Sequence, residues 1–482
     1  MPGLMTVLLL AVLPCRPPLR SPCAGEGTSN AFEADCLRTW MEAWMEEYHV
    51  PGLSACAIIG DSIIWEAHLG LRSICPARPV TDSTMFQLAS VSKTFTGSAV
   101  IQLAEEGALS LDEDVGDFLP FAPENPNHPG QPISVRSLLI HTSSVKDNWD
   151  VMYESYCWGW DSPLTLAEYM PEYFLPGGEY YDAEKNFWKH QPSGEWAYSN
   201  MAYALLGYVV ECAADTSFSH RTRTAIFQPL GMSHTAWFLA NLDTSQVAVP
   251  CHWNPEEGYW EEYGLFGYPD YPAGQLRSSA RDLSRMLMAM LAGGTASGNR
   301  ILSQATVEEM LTPQCPGLNP NMGLTWFRSV REGMEVWGHG GGDYGMRTYY
   351  GFSPESNVAA VVLTNGEIHT GAVFNRLLRH ADSIRTSPGW NSSELKSTLS
   401  LRASPNPASG SLNLLVVLPE PGPVTLRLYD SAGRIALVVE AGIRPRGPTS
   451  IIVPLDGLPQ GVYQAAASTA DALASVPVVV LR

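Results

Sequence analysis

One apolar stretch of the sequence opens with a serine and a lysine three positions apart: Ser90-Val91-Ser92-Lys93-Thr94-Phe95-Thr96-Gly97-Ser98-Ala99-Val100-Ile101-Gln102-Leu103. Its apolar residues recur every four positions, which predicts a buried helix that begins near Ser90 and ends at Gly107. Residues i and i+3 of a helix share one face, and the helix N-terminus offers N–H groups that can stabilise an oxyanion. A buried Lys93 would lose its proton readily and could serve as the base that activates Ser90.

Lysine is scarce in this chain, so the serine-lysine spacing can be compared at every lysine. The lysines are Lys93, Lys146, Lys185, Lys189 and Lys396. Three of them have a serine three positions earlier, at Ser90, Ser143 and Ser393. Lys146 follows a polar loop and Lys396 lies in a linker-like segment, so only Ser90 opens an apolar helix. On this pair alone, a helix-capping serine beside a lysine that reaches the surface is an equally good interpretation.

A second motif, Tyr198-Ser199-Asn200, precedes a helix predicted from about Met201 to Ala213 and is the only Tyr-x-Asn of the chain. A tyrosine hydroxyl near a basic lysine can pass a proton to a leaving group. An asparagine amide can hold both a substrate carbonyl and the lysine. Both residue types therefore suit the same acyl-transfer chemistry.

A third motif, His339-Gly340-Gly341-Gly342, follows a predicted strand, Glu335–Gly338. A Gly-rich turn is expected to lead from it into a hairpin of Met346–Phe352 and Val358–Thr364. Three other histidines share the His-x-Gly spelling: His68, His128 and His369. The strand context favours His339, with His369 in the loop after the hairpin as the alternative. His141 is expected to be a hydrogen-bonded structural residue.

Other periodic segments make the larger part of the chain mixed α and β. A helix is predicted around Leu37–Tyr48, and two strands, Ser54–Ile59 and Ile63–His68, form a hairpin through Gly60-Asp61. Further helices are predicted at Ala280–Leu291 and Val373–Ser383.

Composition divides the chain into four segments. Residues 1–25 carry an apolar run followed by Pro and small residues, which is typical of a signal peptide, with a disordered leader as the alternative. Residues 32–385 form the larger domain, and residues 386–404 have linker composition. Residues 405–482 contain short β-rich runs separated by turns, which predicts a β-sandwich. The runs are Leu412–Leu418, Val424–Tyr429, Ile435–Val439, Ser450–Pro454, Val462–Ala467 and Val476–Leu481.

Bulk composition limits the partners. Acidic residues outnumber basic ones by 49 to 29, which disfavours nucleic acid and anionic membranes. The nine cysteines include no Cys-x-x-Cys pair, so we expect no metal site and no cofactor. After the leader, no segment has the roughly 18 to 20 apolar residues of a membrane span. Together with the predicted signal peptide, this leads us to expect an exported protein that is periplasmic, attached to the cell surface or secreted.

The order and separation of the three motifs resemble those of the serine β-lactamase-like family, which includes class C β-lactamases, D-alanyl-D-alanine carboxypeptidases, D-aminopeptidases and esterases. The resemblance spans about Asp35 to Asp382. Three further segments support it: Leu138–Ser144, close to the family's LLTHTSG, Phe227–Met232 and Pro272–Ser278. It implies an α+β fold with an antiparallel sheet flanked by helices, a helical subdomain and a site between them.

The resemblance also implies a role for each motif residue. Ser90 would be the acylated nucleophile, Lys93 its base and Tyr198 the proton relay. Asn200 would bind the substrate carbonyl and Lys93. The backbone N–H groups of Ser90 and Gly342 would form the oxyanion hole.

Two positions depart from the family pattern. His339 stands where many members have the Lys of Lys-Thr-Gly, and Gly340 replaces the Thr hydroxyl. The resemblance implies that His339, Gly340 and Gly341 bind the substrate. Both changes weaken contacts that hold a β-lactam or peptide carboxylate. The resemblance therefore favours a serine hydrolase for a D-amino-acid peptide or ester, with peptidoglycan as one source of such substrates. The alternatives are a class C-like β-lactamase and a catalytically silent penicillin- or peptidoglycan-binding protein.

Two regions outside the motifs bear on function. Aromatic residues between Trp149 and Trp188 could wall an acyl subsite, although packing in a helical subdomain is the favoured interpretation. The C-terminal segment, with Pro405-Asn406-Pro407, Leu428–Arg434 and Val478–Arg482, resembles the immunoglobulin-like sorting domain of type IX secretion cargo. That resemblance implies the secretion machinery as a partner, and a generic β-module as the alternative.

Overall fold

The structure is a computed structural model. It describes residues 30–296, 298–387, 399–404, 406–418, 420–430, 433–444, 447–469 and 473–481. The predicted signal peptide lies outside the described residues, as does the part of the predicted linker that contains Ser393 and Lys396.

A seven-stranded antiparallel sheet forms the centre of the larger part of the described chain. Its strands are β1 (Gly52–Ile59), β2 (Ser62–Ser73), β3 (Arg78–Pro79), β4 (Phe327–Arg331), β5 (Met334–Asp343), β6 (Met346–Ser353) and β7 (Val358–Thr364). Their order is β4-β5-β6-β7-β1-β2-β3, so strands distant in sequence pair at β1 and β7. The predicted hairpin of β1 and β2 is confirmed, with longer strands than expected.

Helices cover both faces of this sheet. Helices α1 and α10 pack on one face and α8 on the other. The α-helices of the described chain are α1 (Asn30–Glu47), α2 (Ser92–Glu105), α3 (Val135–Leu139), α4 (Trp149–Glu154), α5 (Leu166–Phe174), α6 (Asn200–Ala214), α7 (Phe218–Thr222), α8 (Ala280–Leu291), α9 (Gln304–Met310) and α10 (Gly371–Thr386). Successive residues of a strand point to opposite faces. Ala55 and Ala57 of β1 accordingly pack with α1 and α10, whereas Cys56 and Ile58 join the core that contains α2 and α8.

The rest of the larger core is helical, and it brings the segment around Ser90 close to the segment around Asn200. Helices α2 and α6 are buried along most of their length and pack in one core with α5. Short strand pairs complete this region: Phe86–Gln87 and Thr235–Ala236 with Arg277–Ser278, Cys157–Trp158 with Phe266–Gly267, Cys251–Asn254 with Tyr259–Glu262, and Thr295–Ala296 with Asn299–Arg300. The expected α+β architecture, an antiparallel sheet flanked by helices with a helical subdomain, is thus present.

One predicted turn is wrong. The strand predicted at Glu335–Gly338 continues to Asp343, so His339-Gly340-Gly341-Gly342 is part of β5 and not a turn. All four residues pair with β6, with His339 opposite Tyr350 and Gly342 opposite Arg347. Glycine has a low strand propensity, and here its tertiary setting overrides that preference.

The C-terminal strands form two antiparallel sheets. The strands are β8 (Ser400–Ser404), β9 (Ser411–Leu418), β10 (Gly422–Tyr429), β11 (Ile435–Arg444), β12 (Gly447–Pro454), β13 (Gly461–Ser468) and β14 (Leu473–Val480). Among the described residues, one sheet has the order β8-β9-β12 and the other β11-β10-β13-β14, and an apolar cluster draws on both. Strand β8 lies within residues 386–404, so the last part of that segment is not the linker we expected. Leu401 of this strand is buried in the apolar cluster, and the Ser-rich composition of the segment gave no indication of it.

No helix in the described part of the chain has both the length and the hydropathy that crossing a bilayer requires.

Candidate active site

Ser90 lies in a 3-10 turn, Ala89–Val91, that leads directly into α2. The α-helix proper begins at Ser92, two residues later than expected. Ala89 has a φ of +47°, a left-handed conformation that is strained for a residue with a side chain. The turn is held from behind, because the Leu88 carbonyl accepts a hydrogen bond of 2.7 Å from the Thr348 hydroxyl. This arrangement presents the half-buried Ser90 side chain to a cavity.

Lys93 is completely buried one helical turn after Ser90. Its Nζ donates to Ser90 Oγ at 3.1 Å, to Asn200 Oδ1 at 2.7 Å and to the Ala273 carbonyl at 2.7 Å. Burial lowers the pKa of Lys93 from 10.5 to about 7, although the charges of nearby aspartates oppose the shift. A lysine with this pKa is partly neutral near pH 7, so it can accept a proton from the Ser90 hydroxyl.

Asp147 fixes the orientation of Asn200, and the sequence analysis did not identify it. Its carboxylate accepts hydrogen bonds from Asn200 N at 2.8 Å, Asn200 Nδ2 at 2.8 Å, Met201 N at 3.0 Å and Ser199 Oγ at 3.0 Å. The amide NH2 of Asn200 therefore faces Asp147, which leaves its Oδ1 for Lys93. A carboxylate at a helix N-terminus is also favoured by the helix dipole. Because Asp147 lies far from α6 in sequence, no local capping pattern revealed it.

Tyr198 stands between Ser90 and His141. Its ring centroid is 4.3 Å from that of His141, and Lys93 Nζ lies 5.0 Å from its ring. Desolvation raises the pKa of Tyr198, while a hydrogen-bonding interaction with the Ser90 side chain opposes the rise. Tyr198 therefore keeps its hydroxyl proton at neutral pH and can donate it.

His141 has the structural role that we expected. It is buried with a left-handed φ of +60°, and its Nδ1 accepts a hydrogen bond of 3.2 Å from Ser199 N. Burial lowers its pKa well below 6.5, which keeps the ring neutral and able to accept. The Ala197 N–H donates to the His141 carbonyl at 2.8 Å, so both ends of this residue hold the segment that carries Tyr198.

His339 is buried on β5, with a relative exposure of 4%. Its Nδ1 contacts the Gly340 carbonyl at 2.7 Å, and its Nε2 is buried without a hydrogen-bond partner among the described residues. Burial lowers the pKa of His339 from 6.5 to about 3, and the Lys93 charge acts in the same direction. The imidazole is therefore neutral and supplies no cation for a substrate carboxylate.

The glycines of β5 differ in what surrounds them. A Cβ on Gly341 would lie 2.1 Å from the Leu88 carbonyl oxygen, whereas one on Gly340 would meet only the ring of Tyr349, at 3.2 Å. Gly341 thus allows β5 to approach the turn that carries Ser90. Gly342, one residue further, lines the cavity.

A cavity of about 590 Å³ opens beside Ser90. Its described lining includes Ser90, Tyr198, Asn200 and Gly342, and does not include Lys93, His339, Gly340 or Gly341. The aromatic stretch does not act as one unit, and Trp158, Trp160 and Trp188 are exposed outside the described lining of the cavity. Trp149, Tyr153 and Tyr156 line the cavity, while Tyr169, Tyr173, Phe174 and Phe187 are buried in the core. The subsite and packing interpretations therefore apply to different members of the stretch.

Two carboxylates, the buried Asp270 and the half-buried Asp343, line the same cavity and were not identified from the sequence. Burial raises the pKa of Asp270 from 3.8 to about 7 and that of Asp343 to about 6. Asp343 directly follows the third motif, and Asp270 is close in sequence to the supporting segment Pro272–Ser278. Only the tertiary structure brings them beside Ser90.

The competing motifs lie elsewhere. Lys146 Nζ donates to the Glu184 carbonyl at 3.2 Å and lies 4.9 Å from the Trp188 ring centroid. His369 is absent from the described lining of the cavity. Among the described residues, Ser90 and Lys93 are thus the serine-lysine pair that meets Tyr198 and Asn200. In the same part of the chain, no cluster of three or more His, Cys, Asp or Glu side chains could hold a metal ion.

The chain is similar in sequence to known proteins. The profile of the Beta-lactamase family matches residues 37–382. Protein flp of Staphylococcus aureus (strain NCTC 8325 / PS 47) is 24% identical over 263 residues, 53% of this chain and 48% of that protein. The chain thus spans about half the length of the first such relatives. Penicillin-binding protein 4 of Amycolatopsis lactamdurans is 27% identical over 369 residues, 73% of this chain and 89% of that protein.

Solved structures agree in fold. The D-amino acid amidase from Ochrobactrum anthropi SV3, complexed with L-phenylalanine amide, superposes with a TM-score of 0.59 at 22% identity. The superposition covers 74% of this chain and 100% of the amidase. At this identity the likeness shows the fold alone. The family match covers most of the chain, and the protein therefore belongs to the Beta-lactamase family, within the superfamily of serine hydrolases and penicillin-binding proteins.

Proposed function

We propose that this protein hydrolyses amides or esters through an acyl-enzyme formed on Ser90, and that its substrates are D-amino-acid peptides or esters. The observation that carries the proposal is the 3.1 Å contact between Lys93 Nζ and Ser90 Oγ at the wall of the cavity. Complete burial of Lys93 and its pKa of about 7 suit a base that works near neutral pH.

In the proposed mechanism, neutral Lys93 takes the Ser90 hydroxyl proton as Oγ attacks the substrate carbonyl. The Ser90 and Gly342 N–H groups stabilise the oxyanion, and the Asn200 side chain positions both Lys93 and the substrate. Tyr198 delivers a proton to the departing amine or alcohol and is reprotonated from Lys93. Water then attacks the acyl-enzyme carbonyl and loses a proton to the Lys93 and Tyr198 pair, which returns a proton to Ser90 Oγ. This step releases the acid and restores Ser90.

The neutral state of His339 supports peptidase or esterase activity over β-lactam hydrolysis. A β-lactam carries a carboxylate that is best held by a permanent cation and a hydroxyl. In this chain His339 is neutral, and Gly340 has no side chain to donate. Gly340 and Gly341 remain candidates for backbone contacts with substrate along β5.

One observation favours the second candidate function, a penicillin-binding protein that acylates slowly or not at all. Penicillin-binding protein 4 of Amycolatopsis lactamdurans matches over 73% of this chain. The Lys93, Tyr198 and Asn200 set argues for turnover, because a silent site has no need of a tuned base.

A turnover assay distinguishes these functions. Purified protein and its Ser90→Ala variant are incubated with a p-nitrophenyl ester, a D-alanine p-nitroanilide and a fluorescent penicillin. We expect Ser90-dependent release of p-nitrophenol or p-nitroaniline. Stable penicillin labelling without turnover would support the silent binding protein, and equal turnover by Ser90→Ala would refute the proposed function.

We further propose that residues 405–482 form an immunoglobulin-like sandwich that acts in export through a type IX secretion system. Two antiparallel sheets that share the apolar cluster of Leu412, Leu414 and Val478 support the sandwich. Export after the signal peptide at residues 1–25 would place the protein in the periplasm, at the surface or outside the cell. In a host with that system, deletion of residues 405–482 should retain the protein inside the cell, and unchanged export would contradict the proposal.

A further inference from the structure

The cavity beside Ser90 is lined by acidic and aromatic side chains. Three carboxylates, Asp270, Asp343 and Glu367, reach its described lining, against one guanidinium, Arg347. Besides Tyr198, six tyrosine and tryptophan rings accompany them: Trp149, Tyr153, Tyr156, Tyr263, Tyr268 and Tyr344. Aromatic faces and carboxylates are the two surfaces that attract organic cations.

Asp270 is the least satisfied of these carboxylates. It is 5% exposed, and no other described residue donates a hydrogen bond to its side chain. It precedes the 3-10 turn Tyr271–Ala273, whose last carbonyl accepts from Lys93 Nζ, so it stands next to the catalytic base. A buried carboxylate whose only donor is its own backbone N–H is unfavourable, and a bound cation would relieve the cost.

Asp343 can share such a cation. It accepts hydrogen bonds from the Tyr156 hydroxyl at 2.9 Å and from Tyr344 N at 2.8 Å, which leaves further lone pairs. Burial contributes most to the raised pKa of Asp270, and the charges of Asp147 and Asp343 raise it further, as expected for carboxylates near each other. An arriving ammonium group would favour the ionised form of both.

Arg347 offsets part of this acidity, because its charge favours the ionised form of Asp343, but one guanidinium faces three carboxylates. Its Nη1 donates to the carbonyls of Asp343 at 2.8 Å and Met346 at 2.6 Å, so part of the guanidinium is already engaged. Glu367 Oε2 lies 2.8 Å from His252 Nδ1, and its Oε1 accepts a hydrogen bond of 3.1 Å from Gly345 N, so Asp270 has the fewest donors of the three carboxylates. A substrate carboxylate would therefore meet like charge next to Ser90.

We propose that Asp270 and Asp343, with the surrounding aromatic rings, bind a positively charged ammonium group of the substrate. The preferred substrates are then amides or esters that carry a protonated or alkylated amine. This inference rests on the proposed function, because it assigns a substrate class to the same Ser90 site.

Matched substrates test the inference, because replacing nitrogen by carbon removes the charge and keeps the shape. D-Alanine p-nitroanilide is compared with isobutyryl p-nitroanilide, and acetylthiocholine with S-(3,3-dimethylbutyl) thioacetate. The first pair carries the ammonium on the acyl half and the second on the leaving group. In at least one pair, we expect kcat/KM to favour the ammonium member by about tenfold or more. No preference in either pair, or a preference for succinyl-D-alanine p-nitroanilide over D-alanine p-nitroanilide, would overturn the inference.

Variants then locate the subsite. Asp270→Asn should reduce the preference to within about twofold, and Asp343→Asn should weaken it. Glu355→Gln removes an exposed carboxylate at the opposite end of β6 and should keep the preference. Each ratio is measured on one preparation, so the fraction of folded enzyme cancels. An unchanged ratio in Asp270→Asn would refute the assignment.

The outcome for the neutral substrates separates this inference from the proposed function. If Ser90→Ala hydrolyses them as fast as the wild-type protein, the acyl-serine function itself fails. If their hydrolysis depends on Ser90 but no ammonium preference exists, only the ammonium subsite fails.

Discussion

Lys93 is neutralised by its surroundings and not by a partner of opposite charge in direct contact. Its three hydrogen-bond acceptors are a hydroxyl, an amide oxygen and a backbone carbonyl. The sequence could predict the burial, because Lys93 lies in an apolar helix. It could not predict the aspartates that moderate the pKa, because Asp147, Asp270 and Asp343 come from segments that are far apart in sequence.

The pH dependence of kcat/KM should report the proton on Lys93. Only the neutral amine can accept the Ser90 proton, so kcat/KM should rise as the pH increases through about 7, the pKa of Lys93. Asp270→Asn removes a charge that raises this pKa and should move the midpoint to lower pH. A pH–rate profile with a neutral ester measures both. A rise only near pH 10 would contradict the assignment of Lys93 as the base.

Asp270 should make the folded protein less stable as the pH rises. Its pKa is raised from 3.8 to about 7, so between about pH 4 and 7 the folded protein holds a proton that the unfolded chain has released. Stability contributed by this group is present below pH 4 and is lost through pH 7. Asp270→Asn should therefore increase the free energy of unfolding by roughly 1–3 kcal/mol more at pH 8 than at pH 4. Urea unfolding at both values measures the difference, and an equal effect at both would contradict this account.

At the scale of elements, the site depends on three junctions: the turn before α2, the N-terminus of α6 and strand β5. Apolar periodicity predicted α8 and α10 well because each buries one face, whereas α6 was predicted by an apolar run that is buried on all sides. The same reasoning ended β5 too early. A run of glycines has no side-chain pattern, and the need for it arises from contact with the Leu88 carbonyl, far away in sequence.

Asp147→Ala should weaken α6 and slow catalysis together. It removes the acceptor of hydrogen bonds from Ser199, Asn200 and Met201, which corresponds to about 1–3 kcal/mol of unfolding free energy. It also frees the Asn200 amide, so kcat should fall and the pH profile should shift. Ser199→Ala is the matched control, since it removes only the hydroxyl that caps Ala202 N and contacts Asp147. If Ser199→Ala changes kcat as much as Asp147→Ala, the positioning role is wrong.

Gly341→Ala and Gly340→Ala form a matched pair on one strand. The new methyl group at 341 would collide with the Leu88 backbone carbonyl, so the strand or the turn before Ser90 must shift. The methyl group at 340 meets a ring edge that can move. We expect Gly341→Ala to lower the free energy of unfolding by about 1–3 kcal/mol and Gly340→Ala by less than about 1 kcal/mol. Thermal unfolding measures both, and equal losses would contradict the close approach.

At the scale of the whole molecule, the site is assembled from segments that the sequence spreads over some 250 residues, from Ser90 to Asp343. Strands β1 and β7 are far apart in sequence, and their pairing joins the N-terminal hairpin to the later strands of the large sheet. The C-terminal sheets contact this unit through Arg444, whose Nη1 donates to Asp82 at 3.1 Å. The sequence motifs identified Ser90, Lys93, Tyr198 and Asn200, whereas the acidic residues that line the cavity could be identified only from the folded structure.

Covalent labelling tests the central claim most directly, because two serine-lysine pairs with the same spelling lie in the described chain. Wild-type protein, Ser90→Ala and Ser143→Ala are treated with a fluorophosphonate and analysed by intact mass and peptide mapping. We predict one adduct on the peptide that contains Ser90 in the wild-type protein and in Ser143→Ala, and none in Ser90→Ala. An adduct that persists in Ser90→Ala, or one that maps to Ser143, would contradict the assignment of Ser90 as the nucleophile.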